Sequence, residues 1–223
     1  MGSEDLHHKR KARNASKLKR REHNRSRYEK ILIVCEGEKT EPNYFSDARS
    51  YYKLNTVNVE VRGDMGSDPM SLVRFAKKRY REEKDAGDVF DKVYCVFDKD
   101  QHSNYSQALS ELNRSQPKNE FFAIYSVPCF EYWLLLHFIY STSPFSSVGG
   151  RSAGDNVVKE LKRYIPDYEK GLKSVFTSLA GQLDFAKVNA ERAWAESARN
   201  GTDNPSTRIH ELVSFLQAIK KKS

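Results

Sequence analysis

The chain has 223 residues, and its 38 lysines and arginines exceed its 30 aspartates and glutamates, so its formal net charge is +8. Hydrophobic residues make up 38% of the chain, which is enough to bury a core and excludes a wholly disordered protein. This length suits one core with an appendage better than two full domains. The longest apolar run, residues 130–140, is shorter than the ~20 residues that span a bilayer. Since no secretory signal is visible either, we expect a cytoplasmic protein that does not enter a membrane.

The positive charge is concentrated at the start of the chain. Residues 1–30 contain eleven lysines and arginines against four acids, and so carry +7 of the net charge of +8. We expect residues 1–29 to form a disordered basic arm that neutralises the phosphates of a nucleic acid. A solvated surface extension that binds nothing is the alternative.

From Ile31 onward, short β-rich runs alternate with longer helical patterns. The first and third runs are apolar almost throughout, as strands buried on both faces of a parallel sheet are. This alternation predicts an α/β fold over residues 30–140, with a Rossmann-like parallel sheet and helices on both faces. The predicted strands are residues 31–35, 57–61, 92–97 and 121–127, and the predicted helices between them are 41–52, 69–84 and 104–115. Asp68 is expected to cap the second helix, ahead of Pro69.

The character of the sequence changes after the fourth strand. Residues 128–140 predict a buried helix, and residues 141–154 a Ser/Gly-rich linker or loop. Residues 155–223 predict a C-terminal helical extension that packs and docks a partner. Its helices are expected at 156–164, 168–178, 182–198 and 205–222, with Asn204 capping the last.

Acidic residues follow the first and third predicted strands at their carboxyl ends. Glu36 follows the first strand, and Asp98 and Asp100 follow the third. Ligands of parallel α/β sheets bind outside the carboxyl ends of the strands. If the first and third strands are neighbours, Glu36 faces Asp98 and Asp100 across one strand spacing, roughly 5 Å. Like charges at that distance favour a bound cation, and oxygen ligands select Mg²⁺ or Mn²⁺ over zinc. The alternative is that these acids cap helices or are ordinary loop charges.

Two further residues are candidates for the same edge of the sheet. Glu131 begins the segment after the fourth strand among apolar neighbours, so it needs a partner, for which a metal or Lys39 would serve. Lys39 could also stabilise charge on a phosphate. The three cysteines lack metal-binding spacing and are predicted to be reduced core thiols.

The Glu36-Gly37 turn and the Asp98-x-Asp100 pair resemble those of a TOPRIM domain, the metal-binding α/β module of topoisomerases, bacterial primases and OLD-family nucleases. The strings ILIVCEGEKTEPNYF, PCFEYWLLLHF and NPSTRIHELV resemble the RloB family more closely, from about residue 30 over nearly the whole chain. OLD-type nucleases commonly have a further acid four residues after the Glu-Gly acid. Here that position is Thr40, and Glu41 follows one step later, so the role of Glu41 is left open.

The resemblance implies a Mg²⁺-dependent (or Mn²⁺-dependent) nuclease that cleaves DNA or RNA, including tRNA. It further implies an ABC- or AAA-type ATPase partner in a bacterial anti-phage or abortive-infection system. Glu36, Asp98 and Asp100 would hold the metal, and Glu36 could instead act as general base. A non-catalytic subunit that binds nucleic acid or the ATPase is the alternative function. The chain has no Walker-type phosphate loop, and its oligomeric state is open, with a homodimer among the options.

Overall fold

The computed structural model describes residues 29–56, 58–63, 68–99 and 104–221. Residues 1–28 of the predicted basic arm, and Asp100, therefore lie outside the described residues. The strands of the described chain are β1 (Ile31–Cys35), β2 (Val59–Arg62), β3 (Lys92–Asp98), β4 (Phe121–Val127) and β5 (Ser206–Thr207). The helices are α1 (Thr40–Tyr51), α2 (Pro69–Asp85), α3 (Tyr105–Asn113), α4 (Glu131–Leu135), α5 (Ala153–Leu161), α6 (Val175–Leu179), α7 (Leu183–Asn200) and α8 (Ile209–Lys221), with a 3₁₀ turn at Ala180–Gln182.

The strands form one mixed sheet in the order β2-β1-β3-β4-β5. The first four are parallel, and β5 runs antiparallel to β4. Because β1 and β3 are neighbours, with Cys35 opposite Val96, the residues that follow them meet at one edge of the sheet. The fold is thus the predicted α/β, Rossmann-like architecture, with helices on both faces.

Alternate residues of the strands supply two cores, because successive side chains of a strand point to opposite faces. Leu32 and Val34 face one core, which α2 and α3 cover. Ile31 and Ile33 face the other core, which contains α1 and the segments after β4. Asp68 caps α2 as predicted, since its side chain accepts from the backbone N of Ser71 at 2.8 Å.

The C-terminal part departs from the prediction in three places. The buried helix expected over 128–140 shrinks to α4 and continues as turns. The helix expected over 168–178 is reduced to α6, because Gly171 and Ser174 adopt positive φ values of 86° and 59°. Asn204 does not cap a helix, because its amide instead bonds both backbone groups of Phe145. The residues after it form β5, and the final helix begins at Ile209.

The segments expected as an extension share a core with the sheet. Trp133 of α4 donates to the hydroxyl of Tyr44 at 2.7 Å, and Phe176 of α6 packs edge-on against the Tyr44 ring at 5.3 Å. The apolar faces of α5 to α8 therefore complete the core on the α1 side of the sheet. No helix in the described part of the chain has the length and apolar character needed to span a membrane. All three cysteines are buried and free, as predicted.

Candidate active site at the carboxyl edge of the sheet

Glu36 and Asp98 meet where β1 and β3 end. The backbone N–H of Glu36 bonds Val96 O at 2.9 Å and continues the ladder. The Oε2 atom of Glu36 in turn accepts from the backbone N of Asp98 at 3.1 Å. Burial raises the pKa of Asp98 well above its usual value, and the charges of neighbouring carboxylates, Glu41 first, add to this, against a hydrogen bond from the Phe130 backbone.

Glu41 joins this pair from the first turn of α1. It is buried, and burial together with the charges of Glu131 and Glu36 raises its pKa to about 7. Its carboxylate lies against Gly37, where an added Cβ would stand 2.1 Å from Oε2. A residue with a side chain at position 37 would therefore displace this carboxylate, so the glycine of the Glu-Gly turn makes room for Glu41.

Glu131 is the fourth carboxylate of the site. It opens α4 and is only 2% exposed. Tyr168 donates its hydroxyl to Oε1 of Glu131 at 3.1 Å, and the Lys170 ammonium lies 3.9 Å from the same oxygen. The charge of Glu131 is the largest cause of the raised pKa of Lys170, and those of Asp98 and Glu41 act in the same direction. Lys170 is thus a cation that faces the acidic cluster from a largely exposed position.

The loop that carries Tyr168 and Lys170 is anchored on the start of α1. Gly171 donates its backbone N–H to Oγ1 of Thr40 at 3.0 Å, and its carbonyl accepts from Asn43 at 2.7 Å. Gly171 has a φ of +86° and packs against Lys39, where an added Cβ would lie 2.9 Å from the Lys39 Cβ. These contacts hold the loop over the acidic edge, and glycine is the residue that tolerates this backbone conformation.

The structure groups four of the six candidate residues. Glu36, Glu41, Asp98 and Glu131 are close enough for their charges to interact. Lys39 is exposed, and it forms no ion pair with an acid in the described ranges. Asp100 falls in the undescribed segment 100–103, so its position relative to Asp98 stays a prediction.

The donor set fits a hard divalent cation. No three histidine, cysteine, aspartate or glutamate side chains in the described ranges already stand as a closed metal-binding group. The nearby Cys129 remains a thiol, because burial and the charge of Glu131 raise its pKa well above the usual value. The remaining donors are carboxylate oxygens, which Mg²⁺ and Mn²⁺ prefer. Burial and, after it, the repulsion between carboxylates raise the pKa values of Glu41 and Asp98, and a cation between them would offset the repulsion.

Two residues of this site were not predicted from the sequence. Tyr168 and Lys170 lie in a segment whose pattern predicts a helix, and no spacing relates them to acids more than thirty residues away. The one available signal is Gly171, which breaks the helical pattern beside them. The role expected of Lys39, as partner of Glu131, belongs in the structure to Lys170.

Comparison with known proteins identifies the family. None of the curated proteins compared with the chain matches it. A family model described as RloB-like protein matches residues 31–216, which include the four clustered carboxylates, Tyr168 and Lys170. Since this match spans most of the 223 residues, the chain belongs to the RloB-like protein family.

Proposed function

We propose that this protein is a Mg²⁺- or Mn²⁺-dependent nuclease of the TOPRIM class that hydrolyses phosphodiester bonds in DNA or RNA. The observation that carries the proposal is the meeting of four carboxylates and one lysine at the carboxyl edge of β1 and β3. In α/β sheets this edge is where ligands bind. Buried carboxylates that repel one another are unfavourable for stability alone, and such strained electrostatics are typical of functional sites.

Glu36 and Asp98 would hold the metal, with Asp100 as the third proposed ligand. A bound divalent cation lowers the pKa of a coordinated water and offsets charge on the phosphate oxygens. The backbone N–H of Asp98 fixes the Glu36 carboxylate by the 3.1 Å hydrogen bond. The Phe130 backbone likewise bonds the Asp98 carboxylate. Both proposed ligands are thus oriented by main-chain groups, which cost little to keep in place.

Lys170 and Tyr168 have distinct proposed roles. The Lys170 side chain is 65% exposed, so its ammonium can contact a phosphate from the solvent side and stabilise the negative charge that develops on it. Tyr168 is fully buried and bonds Glu131, so it positions that carboxylate without touching the substrate. Glu41, whose carboxylate lies against Gly37, belongs to the same cluster of interacting carboxylates.

The cellular role is proposed from the RloB resemblance. We infer that the nuclease is the effector of a bacterial anti-phage or abortive-infection system and works with an ABC- or AAA-type ATPase. The protein itself has no phosphate-binding loop of the Walker type in its sequence, so ATP hydrolysis would come from the partner.

A cleavage assay tests the proposal. The purified full-length chain, alone and with the ATPase encoded beside it, is incubated with end-labelled DNA and with tRNA in Mg²⁺, Mn²⁺ or EDTA. We expect metal-dependent fragments from one substrate class and none in EDTA. If both substrates stay intact under every metal condition with the ATPase present, the protein is a non-catalytic subunit and the proposal is wrong.

A further inference from the structure

A basic groove lies between α2 and α3, on the face of the sheet opposite α1. Its volume is about 670 Å³. Ten residues line it, of which five are lysine or arginine and one is the acid Glu111. Five cations against one acid give the groove an excess of positive charge, which favours an anionic ligand.

The cations of α2 form a continuous stripe along the groove. They occupy positions 74, 77, 81 and 84, with spacings of three, four and three residues that place them on one side of the helix. At a rise of 1.5 Å per residue the stripe is about 15 Å long. Arg114, at the end of α3, lines the groove from the other side.

Most of these cations are available to a ligand. Lys77 is paired with Glu111 across the groove. In contrast, no acid of the described ranges lies within ion-pair distance of Arg74, Arg81, Lys84 or Arg114, and all four are exposed. Arg79 on the same helix is paired with Glu60 at 3.0 Å, away from the groove. The protein therefore neutralises Arg79 outside the groove and Lys77 within it. It leaves the other four cations of the groove without an acid of the described ranges at ion-pair distance.

We propose that the α2–α3 groove binds the sugar-phosphate backbone of a nucleic acid strand. A stripe of cations about 15 Å long matches successive phosphates, and arginine guanidinium groups suit phosphate oxygens by their forked geometry. This inference rests on the proposed function, since it takes the ligand to be nucleic acid, but it does not require cleavage. It assigns affinity to a surface that contains none of the acids proposed for catalysis.

The directions of α2 and α3 show where the groove lies relative to the acidic edge. Asp68, at the start of α2, accepts a hydrogen bond from Asn104, at the start of α3, so both helices begin together. Since α2 and α3 connect parallel strands, they begin at the carboxyl edge, where the candidate active site lies, and end at the amino edge. The residues that line the groove belong to the later part of α2, the end of α3 and the start of β4, so the groove lies toward the amino edge. A strand held in it would have to continue along the side of the sheet to reach the acids.

The test is a binding measurement in EDTA, so that cleavage plays no part. The full-length protein and the triple variant Arg74→Gln, Lys84→Gln, Arg114→Gln are titrated into a fluorescein-labelled single strand of mixed sequence, about 30 nucleotides long. RNA and DNA versions are used, over a series of KCl concentrations. We expect the variant to bind at least ~10-fold more weakly, with a slope of log K against log salt reduced by about 0.7 for each phosphate that the protein no longer neutralises.

A matched variant controls for net charge. Lys159→Gln, Arg163→Gln and Arg199→Gln remove the same three charges from exposed positions in α5, in the turn after it and in α7, all outside α2 and α3. We expect its affinity to stay within ~2-fold of the wild-type protein and its salt slope to be unchanged. Thermal unfolding verifies that both variants are folded. Equal effects of the two variants, or no effect of either, would overturn the groove assignment, as would a wild-type protein that binds neither strand.

The measurements distinguish a failure of the groove assignment from a failure of the nuclease proposal. If binding depends on the groove but the protein cleaves neither substrate with metal and ATPase present, the nuclease proposal is wrong and the groove assignment stands. If the wild-type protein cleaves and the groove variant binds as tightly as the wild type, the nuclease proposal stands and the groove assignment is wrong. In that case the groove would remain available to an acidic protein surface, and the nucleic-acid assignment would be wrong.

Discussion

The backbone N–H of Asp98 donates to the Glu36 carboxylate at 3.1 Å, so the last residue of β3 orients the first acid after β1. This bond links the Glu-Gly turn and the Asp-x-Asp motif through the main chain. A substitution that keeps an acceptor oxygen at position 36 can therefore remove the charge without removing the bond.

Neutral variants of the two proposed metal ligands should separate activity from folding. We expect Glu36→Gln or Asp98→Asn to reduce cleavage by about 100-fold or more, because each removes a ligand charge. The free energy of unfolding in EDTA should stay equal or rise slightly, because repulsion among the carboxylates falls. Cleavage rates and urea unfolding measure the two effects. Variants that cut at the wild-type rate, or that unfold, would show that the site is wrongly assigned.

Lys170 should matter more than Lys39, although both flank the acidic edge. Lys170 lies 3.9 Å from Glu131, whereas Lys39 has no acidic partner among the described residues. We expect Lys170→Met to lower kcat by about 100-fold, since it removes charge stabilisation of the phosphate. Lys39→Met should lower it by less than ~3-fold, as is usual for an exposed lysine without a partner. If Lys39→Met lowers kcat more than Lys170→Met does, then Lys39, and not Lys170, stabilises the charge on the phosphate.

Alanine at two glycines should have different consequences. A Cβ at Gly37 would meet the movable end of Glu41, at 2.1 Å from Oε2. A Cβ at Gly63 would stand 2.7 Å from the backbone oxygen of Gly37 and 2.0 Å from the ring of Pro42.

We therefore expect Gly37→Ala to reduce cleavage about 10-fold while the free energy of unfolding changes by less than ~1 kcal/mol. Gly63→Ala should cost about 1–3 kcal/mol, as overpacking does. Chemical denaturation of both variants, with cleavage rates, measures this difference. An active Gly37→Ala protein would mean that the position of the Glu41 carboxylate does not matter.

His137 should make stability depend on pH. Burial lowers its pKa from 6.5 to about 4, so the unfolded chain binds a proton more tightly than the folded protein. The stability that neutral His137 permits is fully present above pH 6.5 and is lost as the pH falls toward 4. Between pH 7 and pH 5 this amounts to about 2 kcal/mol, at ~1.4 kcal/mol per pKa unit.

The variant His137→Gln should show a flatter dependence of the free energy of unfolding on pH over that window. Urea unfolding at several pH values measures it, and the other titrating groups, including the buried His210, are common to both proteins. Equal slopes for the two proteins would mean that folding does not change the pKa of His137.

Local patterns were sufficient to predict the elements of the sheet domain. β1 and β4 have the predicted bounds, because strands buried on both faces are marked by continuous apolar runs between turns. Asp68 and Pro69 predict the start of α2, because capping needs only residues that are adjacent in sequence. The meeting of Glu36 and Asp98 was predicted on the condition that the first and third strands are neighbours, and the observed strand order meets that condition.

Tertiary packing decided the rest. Lys170 reaches Glu131 from a loop held by Thr40 and Asn43, more than 120 residues away in sequence, and no periodicity records such a contact. Ser206 and Thr207 became a strand because the backbone of β4 offered them a partner, overriding a local helical pattern. The basic groove likewise exists only because α2 and α3 pack side by side. The sequence by itself thus determined the elements and the acids at their ends, and the packing of distant segments determined which cations face those acids and which line a groove.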